Sequence, residues 1–110
     1  MSAQNAKDAA DDIVARLRLP NDAKGRKLQL VIFTSEEDCR FFYPRRALEW
    51  QRQVNTYISR SVRQRGFRVQ RIALTPADYS TWMSRMKIPP EMDTAETRRT
   101  YADAFLKLLE

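Results

Sequence analysis

The sequence predicts an α/β domain, with α+β as the alternative class, in which helices pack on a small two- or three-stranded sheet. Residues 27–34 and 67–74 are rich in β-branched and other apolar side chains, as strands are. Residues 45–65, between them, repeat apolar side chains at the spacing of a long amphipathic helix. A strand, a helix and a strand in this order predict a βαβ unit with parallel strands and a right-handed crossover.

The chain has 110 residues, the usual size of one domain, and we predict a single domain over residues 1–110. Within it, residues 25–110 form the core and residues 1–24 form a peripheral helix and loop. The helix is predicted over residues 6–17 with Asn5 as its N-cap. Its apolar stripe is mostly alanine, so we expect this helix to be peripheral. Pro20 and Asn21 begin the loop.

Residues 34–43 allow two interpretations. Residues 35–38 can form a turn into a short strand over residues 39–43, which gives a β-hairpin with the first strand. Alternatively, Ser35 and Asp38 can form a capping box that opens a short helix. We favour the hairpin, because three consecutive aromatic residues before Pro44 are typical of extended chain.

The helix over residues 45–65 is the strongest helical signal. One apolar stripe covers four turns and consists of Ala47, Trp50, Val54, Tyr57, Ile58, Ser61 and Val62. Gly66 is predicted to end this helix as its C-cap. The strand that follows, over residues 67–74, changes its apolar face midway, which predicts a β-bulge near Gln70 and Arg71.

The C-terminal part predicts further helices, three or four in the whole chain. Thr75, Pro76 and Asp78 form a helix start with an N-cap and a proline at the first position. Asp93 and Glu96 predict a second capping box. The buried side of the final helix is predicted to consist of Tyr101, Ala104, Phe105, Leu108 and Leu109.

Composition excludes several classes of function. The chain has two glycines, Gly25 and Gly66, so no glycine-rich phosphate loop or dinucleotide fingerprint can be built. It has no histidine and one cysteine, so neither a zinc site nor an intramolecular disulfide is expected. We therefore predict no cofactor and no metal. The N-terminus does not resemble a secretory signal and no apolar run could span a bilayer, which predicts a cytoplasmic location without membrane contact.

Positive charge is concentrated in one stretch of the chain. Residues 40–71 contain nine arginines and a single acid, Glu49, although the net charge of the whole chain is only +6. On the predicted helix, Arg45, Arg52 and Arg63 fall within about 20° of one another, with Arg60 about 60° away. These arginines are typical of a phosphate-binding ridge, or of the solvated face that any amphipathic helix carries. The candidate anion- or nucleic-acid-binding residues are Arg45, Arg52, Arg60, Arg63, Arg68 and Arg71.

Enzymatic interpretations are weak, and we predict that the protein is not an enzyme. Cys39 follows a predicted strand, where nucleophilic cysteines often lie, but it has no histidine or second cysteine as a partner. Cys39 and Arg45 match the C-x5-R spacing of cysteine phosphatases, yet bulky side chains and Pro44 do not suit a loop that binds phosphate through its N–H groups. We predict a small buried thiol. The three consecutive acids at positions 36–38 carry no catalytic or metal-binding motif.

The leading functional hypothesis is a small binding or regulatory protein that acts through protein–protein contacts, as a homodimer. Its predicted interface consists of Tyr79, Trp82, Met83 and Met86, because methionine and aromatic side chains are enriched at interfaces. The same spacing is also typical of an ordinary core. The alternative hypothesis is an accessory protein that binds DNA or RNA through its arginine-rich helix.

Overall fold

A computed structural model describes residues 3–109 of the chain as one small α/β domain, which confirms the predicted class. The helices in this part of the chain are α1 (Ala3–Leu17), α2 (Glu36–Phe42), α3 (Leu48–Gln64), α4 (Pro76–Arg85) and α5 (Ala95–Asp103), with a short 3-10 helix at Pro90–Met92. The strands are β1 (Lys27–Ile32), β2 (Arg68–Ala73) and β3 (Lys107–Leu108). Five α-helices are thus present where three or four were predicted. No helix within residues 3–109 is long and apolar enough to cross a membrane.

The three strands form a mixed sheet in the order β2-β1-β3, with β1 at its centre. β1 and β2 are parallel and pair one to one from Lys27↔Arg68 to Ile32↔Ala73, so the predicted parallel pairing is confirmed. The predicted bulge is wrong, because the register has no interruption. The change of apolar face in β2 has a simpler cause: Val69 pairs with Leu28 towards one side of the sheet, and Ile72 pairs with Val31 towards the other.

The sheet separates two apolar cores. On one side, α1 and α3 cover Leu28 and Leu30 in a core of aliphatic side chains, in which the buried Ala6 and Ala10 allow α1 to lie close to α3. On the other side, α2, α4 and α5 cover the opposite face in an aromatic core. The buried rings of that core are Phe33, Phe42, Tyr43, Tyr79 and Tyr101. Both faces of the central strand β1 are therefore packed, whereas the edge strand β2 is largely exposed.

Residues 36–42 form the helix α2, so the predicted hairpin is wrong and the alternative helix is correct. Ser35 caps it, with its hydroxyl oxygen accepting a hydrogen bond from the backbone N–H of Asp38 at 3.1 Å. Cys39 and Phe42 are both completely buried, and their spacing places them on the same side of the helix. Tertiary burial of this helical face outweighs the extended preference of the aromatic run.

The long helix α3 is shorter than predicted, because it begins at Leu48. Arg45 therefore lies in the loop before the helix. At the other end, Gly66 ends the helix as predicted, although the C-cap is Arg65 and Gly66 follows it. The φ of Gly66 is +92°, and its N–H bonds to the carbonyl of Arg63 while that of Phe67 bonds to the carbonyl of Val62. This pair of bonds is a Schellman motif, which directs the chain from α3 into β2.

The predicted helix starts have mixed outcomes. Thr75 caps α4 and forms a reciprocal capping box with Asp78, as predicted. Asn5 lies within α1, so its prediction as an N-cap is wrong. Asp93 is also not a cap, since Thr94 accepts the hydrogen bond from the backbone N–H of residue 97.

The C-terminal residues form a strand where a helix was predicted. α5 ends at Asp103, and Leu108 pairs with Leu28 while Lys107 pairs with Gln29 in the antiparallel strand β3. The backbone N–H of Leu109 also donates to the carbonyl of Lys27 at 2.7 Å. β3 covers only the start of β1, and the rest of that edge of β1 remains without a strand.

Candidate anion-binding site

Three of the predicted arginines lie along the exposed side of α3. The buried positions of this helix are Gln51, Val54, Ile58, Ser59 and Val62, and they face the sheet and α1. Arg52, Arg60 and Arg63 point away from that side and are exposed. The apolar period of the sequence therefore placed these three guanidinium groups on the solvent side.

The two arginines of β2 lie on opposite faces of the sheet. Arg71 pairs with Leu30, so it lies on the face that α3 covers. Arg68 lies on the other face, which it shares with Ile72. Since β2 is an edge strand, both side chains remain exposed. Arg71 therefore adjoins the α3 arginines, whereas Arg68 does not.

Arg52 and Arg71 line the same cavity, which has a volume of about 450 Å³. It lies beside the C-terminal end of β1, the end of a parallel sheet at which α/β proteins usually bind ligands. The other polar side chains that line it are neutral: Thr34, Gln51, Asn55, Thr56 and Ser59. No acidic residue lines this cavity, so its charged groups are two guanidiniums.

The exposed arginines of α3 and Arg71 pair with no carboxylate of the residues that the structure describes. Among the residues that the structure describes, Arg52, Arg60, Arg63 and Arg71 form no ion pair. Arg60 lies over the ring of Tyr57, with its guanidinium carbon 5.8 Å from the ring centroid. An unneutralised guanidinium keeps its attraction for phosphate, to which its planar N–H groups can bind in a bidentate manner. We define these four arginines as the α3–β2 surface.

Two acids bond to residues that line this cavity: Asp38 accepts a hydrogen bond from the hydroxyl of Thr34 at 3.5 Å, and Glu36 contacts Leu48. The carboxylate of Glu36 is already engaged. It accepts hydrogen bonds from Nε of Arg40 at 2.8 Å and from the backbone N–H of Leu48 at 2.7 Å. The hydrogen bond from Arg40 is the main cause of the lowered pKa of Glu36. A carboxylate thus caps the start of α3, next to the cavity, without neutralising Arg52.

Arg45 belongs to a different part of the molecule. It lies in the loop between α2 and α3, and together with Arg40 and Arg46 it lines a separate cavity of about 250 Å³. That cavity also contains the acid Glu49. The structure therefore does not bring Arg45 into the row that the sequence predicted with Arg52 and Arg63.

Two amide side chains of α3, Gln51 and Asn55, line the cavity of Arg52 and Arg71 but are not among the predicted site residues. Gln51 accepts a hydrogen bond from Arg46 and donates one to Asn55, and Asn55 Nδ2 donates to the carbonyl of Val31 at 2.8 Å. β3 does not extend to Val31, so this amide satisfies a carbonyl that lacks a strand partner. A signal was available, because two amide residues four positions apart interrupt the apolar arc of the helix.

Cys39 is completely buried in α2, as the prediction of a buried thiol requires. Burial raises the pKa of its thiol, which disfavours the nucleophilic thiolate. Because residues 39–42 are helical, they do not form the loop that the C-x5-R spacing would need. Among the described residues, no group of three or more acids and cysteines is placed to hold a metal ion.

The predicted interface residues of α4 divide into two pairs. Tyr79 and Met83 are buried in the aromatic core, where they have little surface to offer a partner. Trp82 is half-buried, and Met86 is 60% exposed. A nearby groove of about 710 Å³ is lined by Trp82 and by apolar residues that the prediction did not include, among them Met92 and Phe105.

Three comparisons with known proteins add no information about this site. No protein-family model matches the chain, and neither a curated protein nor a solved structure matches it. The α3–β2 surface is therefore interpreted from its own residues.

Proposed function

We propose that the protein binds nucleic acid through the phosphate backbone, using the α3–β2 surface. The observation that carries this proposal is that Arg52 of α3 and Arg71 of the edge strand β2 line the same cavity, and that no acidic residue lines it. Clustered arginines without ion-pair partners provide the electrostatic attraction on which phosphate binding depends.

The dimensions of the surface suit several successive phosphates. Arg52 and Arg63 are separated by about 16 Å along the helix axis, at a rise of about 1.5 Å per residue. Phosphates along one strand of B-DNA are about 3.4 Å apart in the axial direction, so this row spans about five nucleotides. Arg71 adds a second line of contact beside the helix.

The surface favours backbone contacts over recognition of bases. In the part of the chain whose side chains the structure describes, residues 5–109, no aromatic side chain is fully exposed, and Tyr57 beside Arg60 is half-buried. Base stacking on aromatic rings, on which many single-strand binders depend, therefore has little surface here. We expect binding that depends strongly on salt and weakly on sequence.

The test is a salt titration of binding to a fluorescent single-stranded and a fluorescent duplex oligonucleotide. The Arg52→Gln/Arg71→Gln double variant should bind all sequences more weakly, and the slope of log affinity against log salt should become shallower by roughly 2. Glutamine keeps the polar character and much of the side-chain length.

The matched control is the Arg85→Gln/Arg99→Gln variant, which removes the same charge from α4 and α5. Both residues are exposed and have no described ion-pair partner. An equal loss of affinity in the control would mean that net charge alone causes binding. If the wild-type protein does not bind at low salt, the proposal is wrong.

A second candidate function, self-association through the 710 Å³ groove, is favoured by the exposure of Met92. This side chain is 53% exposed at a groove that Trp82, Tyr101 and Phe105 line. The charged residues at the groove are Glu96 and Lys107, one of each sign. In a two-fold symmetric dimer, Glu96 of one copy can lie opposite Lys107 of the other copy. This charge complementarity supports a homodimer.

Sedimentation equilibrium of two matched variants tests the homodimer. Met92→Glu should convert a dimer to a monomer, because it places a charge in the groove. Met86→Glu introduces the same charge at an exposed methionine that does not line the groove, and should leave the dimer intact. A monomeric wild-type protein at high micromolar concentration would exclude this function.

A further inference from the structure

A second polar cavity lies where β3 leaves the edge of β1 uncovered. Its volume is about 270 Å³, and it is bounded by α1, α3, the end of α5 and the loop after α2. Ile13, Leu17, Ile58 and Leu106 give it an apolar lining. Its size suits a small metabolite, since cavities for drug-sized ligands begin at about 300 Å³.

A fixed guanidinium provides one polar end of this cavity. Arg46 lies over the ring of Tyr43, with its guanidinium carbon 4.0 Å from the ring centroid. Its Nη1 donates to Oε1 of Gln51 at 3.2 Å, and the hydrogen-bonded amides of Gln51 and Asn55 continue from there to the carbonyl of Val31. The cation is thereby anchored to the central strand.

Most of the donors of Arg46 remain available. A guanidinium has five N–H donors, and one of those of Arg46 is bonded to Gln51. Arg46 forms no ion pair with any carboxylate in the described part of the chain. Arg16 also lines the cavity, but its own charge is paired with Asp12 at 2.8 Å.

A carboxylate provides the other polar end. Asp103, the last residue of α5, lines the cavity and accepts a hydrogen bond from the hydroxyl of Tyr43. Arg46 and Asp103 thus both contact Tyr43, and yet they form no ion pair with each other. Burial and the neighbouring Asp103 raise the pKa of Tyr43, so its hydroxyl stays protonated and continues to hold the carboxylate.

We propose that this cavity binds a free α-amino acid with an apolar side chain. The carboxylate of the ligand pairs with Arg46, its ammonium group pairs with Asp103, and its side chain contacts the apolar lining. Two opposite charges that are held apart beside a small apolar cavity match a zwitterion better than an anion or a cation alone. This cavity shares Gln51 and Asn55 with the cavity of Arg52 and Arg71, but none of the four arginines of the α3–β2 surface lines it. Failure of this proposal would therefore leave the proposed function untouched.

A series of ligands on the wild-type protein provides the first test. L-leucine carries both charges, leucinamide lacks the carboxylate, and 4-methylpentanoate lacks the ammonium group. Calorimetric titration up to millimolar concentration should detect binding of L-leucine. Each analogue should bind at least about tenfold more weakly, because it loses one charge-assisted hydrogen-bonding group.

Two variants test which protein side chain binds the ammonium group of the ligand and which binds its carboxylate. Asp103→Asn can still accept the hydrogen bond from Tyr43, and it should weaken leucine and leucinamide while leaving 4-methylpentanoate unchanged. Arg46→Gln should weaken leucine and 4-methylpentanoate while leaving leucinamide unchanged. Arg85→Gln removes an exposed arginine of α4 that does not line the cavity, and this matched control should leave the affinity for all three ligands unchanged.

The wild-type series decides the proposal even if a variant fails to fold. No binding of L-leucine would overturn it, as would equal affinity for leucine and for both analogues. Binding that inorganic phosphate displaces would assign the cavity to an anion instead, and would also overturn it. Preferential binding of leucine, with the charge-specific losses above, would support it.

Discussion

Arginine has two different environments on two sides of this molecule. On α5, Arg98 forms two hydrogen bonds to the carboxylate of Asp93, at 2.8 and 3.1 Å, and its guanidinium carbon lies 3.9 Å from the centroid of the Phe41 ring. Tyr79 donates a third hydrogen bond to the same carboxylate. Arg52 and Arg71 are exposed and have no described ion-pair partner.

The difference shows that the number of positive charges does not identify a binding surface. The hydrogen bonds and ring contact of Arg98 use its charge within the fold, so this side chain contributes to stability. The charges of Arg52 and Arg71 are not used within the described part of the fold, so they remain available to a ligand. We therefore expect substitutions on the two sides to affect different measurements.

The largest effect on stability should come from the aromatic core beneath Arg98. Phe42 is completely buried and contacts the rings of Phe33, Phe41, Tyr79 and Tyr101. Phe42→Ala should lower the free energy of unfolding by about 3–5 kcal/mol, because it leaves a cavity in a packed core. Urea denaturation measures this loss, and a loss below about 1 kcal/mol would mean that the core repacks.

Removal of the carboxylate partner of Arg98 should have an intermediate effect. Asp93→Ala deprives Arg98 and Tyr79 of their common acceptor. We expect a loss of about 1 kcal/mol, since both side chains of the ion pair are about one-third exposed and water screens the interaction. A double-mutant cycle with Arg98→Ala isolates the pair, and a coupling energy of zero would contradict a structural role for Arg98.

A smaller effect should appear at acid pH. The hydrogen bond from Arg98 is the main cause of the lowered pKa of Asp93. A carboxyl whose folded-state pKa lies below its unfolded value, about 3.9, stabilises the fold above that value and loses this contribution as pH falls through the folded pKa. The stability difference between wild type and Asp93→Asn should therefore shrink as pH falls below about 4. A constant difference between neutral and acid pH would contradict this.

The smallest effect on stability should come from the α3–β2 surface. Arg52→Gln should change the free energy of unfolding by no more than about 0.5 kcal/mol, because the side chain is exposed and has no ion-pair partner. Thermal unfolding of the variant beside wild type measures this. A loss comparable with that of Asp93→Ala would show that Arg52 stabilises the fold, and would weaken its assignment to a ligand.

Local patterns predicted the parts of the fold that local physics determines. The period of α3, the Schellman glycine Gly66 and the capping box of Thr75 all act within one or two turns of the chain, and all three are present. The parallel pairing of β1 and β2 followed from the helix between them. α2 was mistaken for a strand because its helical state depends on burying Cys39 and Phe42 against distant elements.

The candidate site was predictable only in part for the same reason. Helical spacing was sufficient to group Arg52, Arg60 and Arg63. Arg68 and Arg71 were both predicted, but the finding that only Arg71 lies on the α3 side required the sheet register and the strand order, which no local pattern contains. The position of Asp103 beside Tyr43 required the turn from α5 into β3, whose two paired residues have no period to detect.

The shortness of β3 has a consequence for how the sheet opens. Leu28 and its partner Leu108 are 80 positions apart, about twice the separation between paired residues of β1 and β2. Pairing β1 with β3 therefore costs about 0.6 kcal/mol more in chain entropy than pairing β1 with β2. Because β3 has only two residues, few hydrogen bonds compensate for this cost. Sub-global unfolding should therefore release β3 before the β1–β2 pair. In native-state hydrogen exchange, the amide proton of Leu109 should be lost to solvent well before those of the central strand.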